Sequence, residues 1–243
     1  MENEGYKERI SDLLLQRKLS SSGSVLVTGP KWRGKTWTSL HAAKSVLFMQ
    51  DPDKRNSYVK LAESTPSLLL RGERPGLLDE WQTAVVLWDA VRFAVDQDPE
   101  KGMFILTGSV VVDNGMVEHT GTGRISQLRM RPMSLFESGE SNGTVSLSML
   151  FDGGVEVEAE SSLDIEGLAF AICRGGWPAS ISMEREAALE VARGCVDSLC
   201  ERDATAVDKA QKDPGPGSGD SPFAREEHLH HGNRQNHHGR RKG

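Results

Sequence analysis

The sequence predicts an α/β protein in three layers, with helices on both faces of a five-stranded, mostly parallel sheet. Short apolar segments rich in β-branched residues alternate with segments whose apolar residues recur at helical spacing. Short, apolar strands separated by helices are typical of a parallel sheet that is covered on both faces. We assign this sheet domain to residues 1–140, a small helical extension to 141–212 and a disordered tail to 213–243.

Strands and helices are expected in alternation along the first half of the chain. Apolar runs predict five strands, at 24–28, 45–49, 76–78, 103–106 and 125–130. Helical spacing predicts further elements at 36–44, 59–70, 84–95 and 188–199. A helix is expected ahead of the first strand, with Tyr6, Ile10, Leu13 and Leu14 on one of its faces.

Charge and composition exclude several classes of protein. The formal net charge is −6 at pH 7, whereas a general binder of nucleic acid carries a strongly basic surface. No apolar run approaches the ~18 residues of a membrane span, and the polar N-terminus is unlike a secretory signal. The 3 Cys form no CxxC pair, which favours a reduced, cytoplasmic protein.

A glycine-rich segment follows the first predicted strand. Residues 29–36, here called the phosphate loop, read GPKWRGKT and fit the Walker A pattern GxxxxGK[ST]. Gly29 and Gly34 allow the backbone to wrap phosphate oxygens with its N–H groups, and the helix dipole adds to the attraction. Lys35 is expected to reach the β- and γ-phosphates, and the Thr36 hydroxyl to bind Mg²⁺. The alternative is a surface turn before a helix.

The remaining residues of this segment are also assigned to nucleotide binding. Pro30, Lys31, Arg33 and the following Trp37 lie within or beside the predicted loop. Lys31 and Arg33 add positive potential without having to touch phosphate. Trp32 either covers the nucleotide or faces a partner protein.

Two carboxylates close the third predicted strand. Asp79 and Glu80, here called the acidic pair, are expected beside the phosphate loop because ligands bind at the carboxyl ends of parallel strands. This position is that of the Walker B motif: Asp79 would hold Mg²⁺, and Glu80 would orient or deprotonate the water that attacks the γ-phosphate. The alternative is that both carboxylates only favour the start of a helix.

Polar and cationic residues flank the last two predicted strands. Thr107, or next Ser109, is expected to sense the γ-phosphate, although both residue types also favour helix N-caps. Arg124 precedes the fifth strand, and its planar guanidinium suits the charge that develops on a transferring phosphoryl group. A salt-bridged surface arginine is the alternative.

Five motifs together resemble the prokaryotic AAA-type P-loop ATPases that usually carry an uncharacterised, nuclease-like C-terminal domain. They occur in the order GPKWRGKT, LLDEWQ, FILTGS, GRI followed by RPMSLFESG, and GGWP, and the likeness spans residues 6–203. The resemblance implies a P-loop NTPase core that binds ATP and Mg²⁺ through the residues named above. It also implies that Arg124 acts on the nucleotide of a neighbouring subunit, which requires a homo-oligomer.

The tail departs from this family. Relatives continue into a further domain, whereas residues 213–243 are rich in Gly, Pro, His and Arg and contain few apolar residues. Such a segment buries too little apolar surface to offset its ordering entropy. We expect it to be out-of-frame sequence or the remnant of a truncated gene. A metal site is the competing hypothesis, with ligands His228, His230, His231, His237 and His238.

Three functions are compatible with these sequence features. The first is an ATPase that hydrolyses Mg·ATP, and the second is a nucleotide-dependent interaction module with little turnover. The second gains weight because a truncated chain without subunit contacts would lack the arginine finger, worth ~10³–10⁵ in rate. A small-molecule kinase is the third. The acidic pair weighs against it, because a base positioned for water suits hydrolysis and not phosphoryl transfer to a second substrate.

Overall fold

The computed structural model describes residues 6–108, 119–153 and 158–198. The chain divides after Ala192, and the first unit, Met1–Ala192, is compact. The sheet and every residue discussed below as part of a site belong to the first unit. Ser109 and the tail from 213, with its histidines, lie outside the described residues.

The described residues form five strands and seven α-helices. The strands are β1 (Ser24–Thr28), β2 (Ser45–Phe48), β3 (Gly76–Asp79), β4 (Phe104–Gly108) and β5 (Ile125–Arg129). The helices are α1 (Ile10–Ser21), α2 (Lys35–Ala42), α3 (Arg55–Ser64), α4 (Val86–Gln97), α5 (Leu147–Asp152), α6 (Ile165–Arg174) and α7 (Arg185–Ser198). Short 3₁₀ helices occur at Pro66–Leu68, Trp81–Ala84 and Pro178–Ser180.

The five strands form one sheet in the order β2-β3-β4-β1-β5. Each pair of neighbours is parallel, which confirms the predicted fold class and extends it from mostly to wholly parallel. Residue Thr28 of β1 is in register with Gly108 of β4 and Arg129 of β5, and Asp79 of β3 is in register with Thr107. The carboxyl ends of β1, β3 and β4 therefore meet at one edge.

Alternate residues of the central strands build two separate cores. Val25 and Val27 of β1 pack with Leu15 and Leu19 of α1 on one face of the sheet. Leu26, between them, packs with Trp88 and other residues of α4 on the opposite face. A strand with a neighbour on each side and a core on each face must be apolar throughout, and all five residues of β1 are buried.

The predicted face of the first helix is wrong. Ile10, Leu13 and Leu14 are 50%, 67% and 41% exposed, whereas Leu15 and Leu19 are buried. The helix begins only at Ile10, so Tyr6 lies outside it and cannot set its phase. Leu13, Leu14 and Leu15 are consecutive, so the apolar pattern fits more than one helical face. Packing of the helix against β1 and β5 decides that Leu15 is the buried one.

The other predicted elements agree with the structure to within a few residues. The segment predicted as one helix over 59–70 is divided, because α3 ends at Ser64 and Pro66 starts a 3₁₀ turn. Beyond β5 the helical extension contains α5, α6 and α7, with Pro178 opening the 3₁₀ turn between the last two. None of the helices within the described ranges is long and apolar enough to cross a membrane.

Candidate functional site

The phosphate loop connects the carboxyl end of β1 to the first turn of α2. Gly29 has φ +144°, and a Cβ there would lie 2.7 Å from the carbonyl oxygen of Met130. Gly34 caps α2 in the left-handed region, with φ 86°. Glycine occupies two of the three positive-φ positions of the loop, and Trp32, with φ 63°, occupies the third. The loop ends directly at the N-terminal end of a helix whose dipole attracts anions.

Lys35 is buried and folds back over its own loop. Its Nζ donates hydrogen bonds to the carbonyl oxygens of Gly29 at 2.9 Å and Pro30 at 3.1 Å. Burial lowers the pKa of this ammonium group, while the nearby carboxylates of Glu80 and Asp79 act in the opposite direction. The charge is thus held close to the loop backbone and to the acidic pair.

Hydroxyl groups bring the acidic pair and the phosphate loop together. Thr36 Oγ1 donates to Asp79 Oδ1 at 2.8 Å, across 43 residues of sequence. Thr107 Oγ1 donates to the same oxygen at 2.6 Å and accepts from the backbone N–H of Glu80 at 3.1 Å. Three neighbouring segments of the sheet edge are joined through one carboxylate oxygen.

Glu80 has an unusual backbone conformation. Its φ of 56° and ψ of 50° lie in the left-handed region, which a residue with a side chain adopts only at a cost of roughly 1–3 kcal/mol. This turn ends β3 and starts the 3₁₀ helix at Trp81, while the Glu80 side chain lines the cavity in front of the phosphate loop. Its carboxylate accepts a hydrogen bond from Gln82 Nε2.

A cavity of about 820 Å³ opens in front of the phosphate loop. Lys31, Trp32, Lys35, Thr36 and Trp37 line it from the loop side. The volume suits a nucleotide, since ligand cavities commonly measure ~300–1,000 Å³. Trp32 and Trp37 are 62% and 53% exposed, so both indoles are open to solvent at its rim.

Sequence reasoning missed a buried ion pair beneath the phosphate loop. Arg9 Nε contacts Glu137 Oε1 at 2.9 Å, and both side chains are almost fully buried. The same guanidinium donates to the carbonyl oxygens of Arg33 at 3.0 Å and Arg131 at 3.1 Å. Only the RPMSLFESG motif marked this region, and nothing in the sequence connects it to Arg9.

A second missed group borders the cavity next to α2. The Tyr6 hydroxyl donates to Asp12 Oδ1 at 2.6 Å and lies 2.9 Å from Thr38 Oγ1. Its ring stacks on His41 with centroids 4.8 Å apart. Burial, and next the bond to Asp12, raise the pKa of Tyr6, so the phenol stays protonated at physiological pH.

The GGWP segment packs onto the phosphate loop. The Arg33 guanidinium lies over the Trp177 ring, 5.4 Å from the ring centroid. A Cβ on Gly34 would lie 3.6 Å from Pro178 Cγ, and Pro178 also lines the cavity. The segment between α6 and α7, within the helical extension, thus contributes one wall of the site.

The predicted sensor and arginine finger are placed differently from the loop residues. Thr107 is fully buried, and both of its hydrogen bonds support the acidic pair. Arg124 precedes β5, at the amino edge of the sheet, and its Nε contacts Asp96 Oδ1 at 2.7 Å. Since the phosphate loop lies at the carboxyl edge, Arg124 does not approach the cavity of its own chain.

The donor set at the sheet edge fits Mg²⁺. The hydroxyl of Thr36 and the carboxylate of Asp79 are hard oxygen ligands already in contact with each other. The described ranges contain no group of three or more His, Cys, Asp or Glu side chains that would hold a metal by itself. Mg²⁺ commonly binds through one or two protein ligands together with phosphate oxygens and water, which this pair of side chains suits.

The fold and this edge define a nucleotide-binding domain of the P-loop class: a wholly parallel α/β sheet, a glycine-rich loop opening a helix, and an acidic strand end beside it. Residues 21–138 match the family model for an AAA domain. That part of the chain belongs to the AAA-type P-loop ATPase family, which confirms the predicted resemblance; the GGWP motif lies outside the matched residues. The match does not include a nuclease-like domain, and no curated protein matches the chain.

Proposed function

We propose that this protein binds Mg·ATP at the phosphate loop and hydrolyses it. The observation that carries the proposal is the contact between Thr36 and Asp79, which joins the loop to the acidic pair at the mouth of the cavity. The loop amides and the α2 dipole would hold the phosphates, and Lys35 would move from its loop carbonyls onto the β- and γ-phosphates. Lys31, Trp32 and Trp37 would contact the nucleotide from the rim.

Glu80 supplies the base in this proposal. Its carboxylate would accept a proton from a water molecule while the water oxygen bonds to the γ-phosphorus and the bond to the β–γ bridging oxygen breaks, which yields ADP and phosphate. Thr107 would keep Asp79 and the Glu80 backbone in place, and its predicted role as γ-phosphate sensor stays a prediction. Mg²⁺, held by Thr36 and Asp79, would neutralise phosphate charge.

Two variants test this proposal together. Lys35→Ala is expected to lower affinity for ATP by at least ~100-fold, because a buried cation next to the phosphates is lost. Glu80→Gln is expected to retain ATP but to release phosphate at least ~100-fold more slowly. A titration with ATP, with and without Mg²⁺, and a phosphate-release assay on the same samples provide both measurements.

Exposed residues of the same type provide matched controls. Lys44→Ala and Glu73→Gln make the same changes at exposed positions, and both should behave like the parent. If Lys35→Ala binds ATP as the parent does, the assignment of the phosphate loop is wrong. If Glu80→Gln hydrolyses ATP at the parental rate, the assignment of the base is wrong.

A second candidate is a nucleotide-dependent interaction module with little turnover. The position of Arg124 favours it, because this guanidinium lies at the sheet edge opposite the phosphate loop and cannot assist hydrolysis in its own chain. Turnover would then require a neighbouring copy. In a single chain, ATP binding without turnover above that of Glu80→Gln would support the module, whereas faster turnover would support the ATPase.

We further propose that a homo-oligomer supplies Arg124 in trans and that the protein is cytoplasmic. Cys173 and Cys195, within the described part of the chain, are free thiols, which a reducing compartment preserves.

A further inference from the structure

The side chain of Gln82 has no role in the proposed function, yet it contacts the proposed base. It lies in the first turn of the 3₁₀ helix after the acidic pair, and its Nε2 donates to Glu80 Oε2. Its other polar atom, Oε1, is buried and has no hydrogen-bond partner among the described residues. Burying a polar atom without a hydrogen-bond partner costs ~1–3 kcal/mol of folding free energy, so this half-satisfied amide is unfavourable for stability.

The backbone of Glu80 is already fixed from the opposite side. Its N–H donates to Thr107 Oγ1 at 3.1 Å, and the left-handed turn sets the direction in which the side chain leaves β3. A glutamate side chain still has rotatable bonds beyond Cβ, and ordering them has an entropic cost. The hydrogen bond from Gln82 acts on the carboxylate itself and restrains it.

The last residue of β4 leaves space for the Gln82 amide. A Cβ on Gly108 would lie 2.6 Å from Gln82 Oε1 and 3.2 Å from Trp81 Nε1. The first distance is shorter than any normal contact, so a side chain at position 108 would displace the amide. Gly108 does not have a positive φ, so the glycine is needed here for space and not for backbone conformation.

We propose that Gln82 is a positioning residue that holds the Glu80 carboxylate in the orientation needed to accept the proton of the attacking water, and that Gly108 provides the space it needs. This inference rests on the proposed function, because it acts through Glu80. Gln82 would not touch ATP. Its removal should therefore reduce the rate of the chemical step without weakening nucleotide binding.

Two variants displace Gln82 by independent routes. Gln82→Met keeps a similar volume but removes the N–H donor, and Gly108→Ala leaves the amide intact but pushes it aside. Each should lower kcat by ~10- to 100-fold, because misplacing a catalytic group by about 1 Å costs on the order of 100-fold. KM, ATP affinity and the temperature of unfolding should stay near the parental values. Gln97→Met, at an exposed position of α4, is the matched control.

A double variant distinguishes positioning from a general structural role. If Gln82 acts only through Glu80, adding Gln82→Met to Glu80→Gln should reduce the residual turnover by less than ~2-fold, since the two losses are not additive. A further loss in the double variant, or a parallel rise in KM, would overturn the inference. Unchanged or increased kcat in both single variants would also overturn it.

The failure of the proposed function gives a different pattern. In that case Glu80→Gln itself leaves phosphate release unchanged, or Lys35→Ala leaves ATP binding unchanged. If both of those variants behave as expected and Gln82→Met and Gly108→Ala do not, only the role of Gln82 is wrong.

Discussion

The two edges of the sheet both carry ion pairs, but they differ in burial. At the carboxyl edge, Arg9 and Glu137 have side chains only 4% and 7% exposed. At the amino edge, Arg124 and Asp96 are 46% and 32% exposed, and Arg74 pairs with Asp98 and Glu100 in a similarly open position. The same chemical pairing therefore occurs in two different dielectric environments.

This difference indicates which contacts the fold depends on. A buried ion that loses its partner keeps its desolvation cost, whereas an exposed ion is solvated again by water. At the carboxyl edge Arg9 also donates to the backbone carbonyl of Arg33 in the phosphate loop, so loss of the pair should alter the site. At the amino edge we expect substitutions to be tolerated.

The largest change in stability is expected for Glu137→Gln. The amide would leave the buried Arg9 guanidinium without its counter-charge, and we expect the free energy of unfolding at pH 7 to fall by about 3 kcal/mol. Chemical denaturation measures this loss. Asp96→Asn makes the equivalent change at the amino edge, and an equal loss there would refute the distinction between the two edges.

The pH dependence of the same pair gives a second test. Burial raises the pKa of Glu137, but hydrogen bonds from the backbone of Ser134 and Ile10 and from Arg9 outweigh burial and leave the pKa below its ordinary value. A lowered pKa contributes stability above the ordinary carboxyl value, and this contribution is lost as the pH falls through the folded-state value.

The stability difference between the parent and Glu137→Gln should therefore narrow as the pH falls from about 5 toward about 3. Denaturation curves at several pH values measure it. A difference that stays constant over this range would mean that the Glu137 carboxylate is not the source of the stabilisation.

An intermediate effect is expected for Thr107→Val. Valine has nearly the same shape but neither donates to Asp79 nor accepts from the Glu80 N–H, so a buried donor loses its partner. We expect a loss of ~1–3 kcal/mol in the free energy of unfolding and slower phosphate release. Thr144→Val, at an exposed position, controls for the substitution itself. If Thr107→Val is as stable as the parent, the hydroxyl does not hold the acidic pair together.

The sheet was predictable because its signal is local. All five residues of β1 are buried, and a central parallel strand requires a continuous apolar run that the sequence displays directly. The phosphate loop and acidic pair are equally local patterns, and parallel strands bring their carboxyl ends to one edge. The roles of these site residues remain predictions.

The contacts that support the site could not be predicted in the same way. Arg9 and Glu137 are separated by 128 residues, and one arginine among many has no pattern that selects its partner. The buried face of α1 depended on which of several adjacent leucines meets β1, so the helix period alone gave the wrong answer. The contact between Gln82 and the Glu80 carboxylate depends on the short 3₁₀ turn that follows β3, and such a turn leaves no periodic pattern in the sequence.

The smallest effect on stability is expected for Arg124→Ala. Its contact with Asp96 is exposed, and such pairs contribute at most about 1 kcal/mol, so the unfolding temperature should change little.

The effect of Arg124→Ala on turnover separates two roles for this edge. If the guanidinium acts in trans, Arg124→Ala should hydrolyse ATP more slowly, and mixing it with Lys35→Ala should restore part of the activity, because one chain supplies the arginine and the other the intact phosphate loop. Restoration must fail with an Arg124→Ala, Lys35→Ala double variant as the second component. If mixing restores nothing while the assembly stays intact, Arg124 belongs with the exposed pairs of the amino edge and has no part in catalysis.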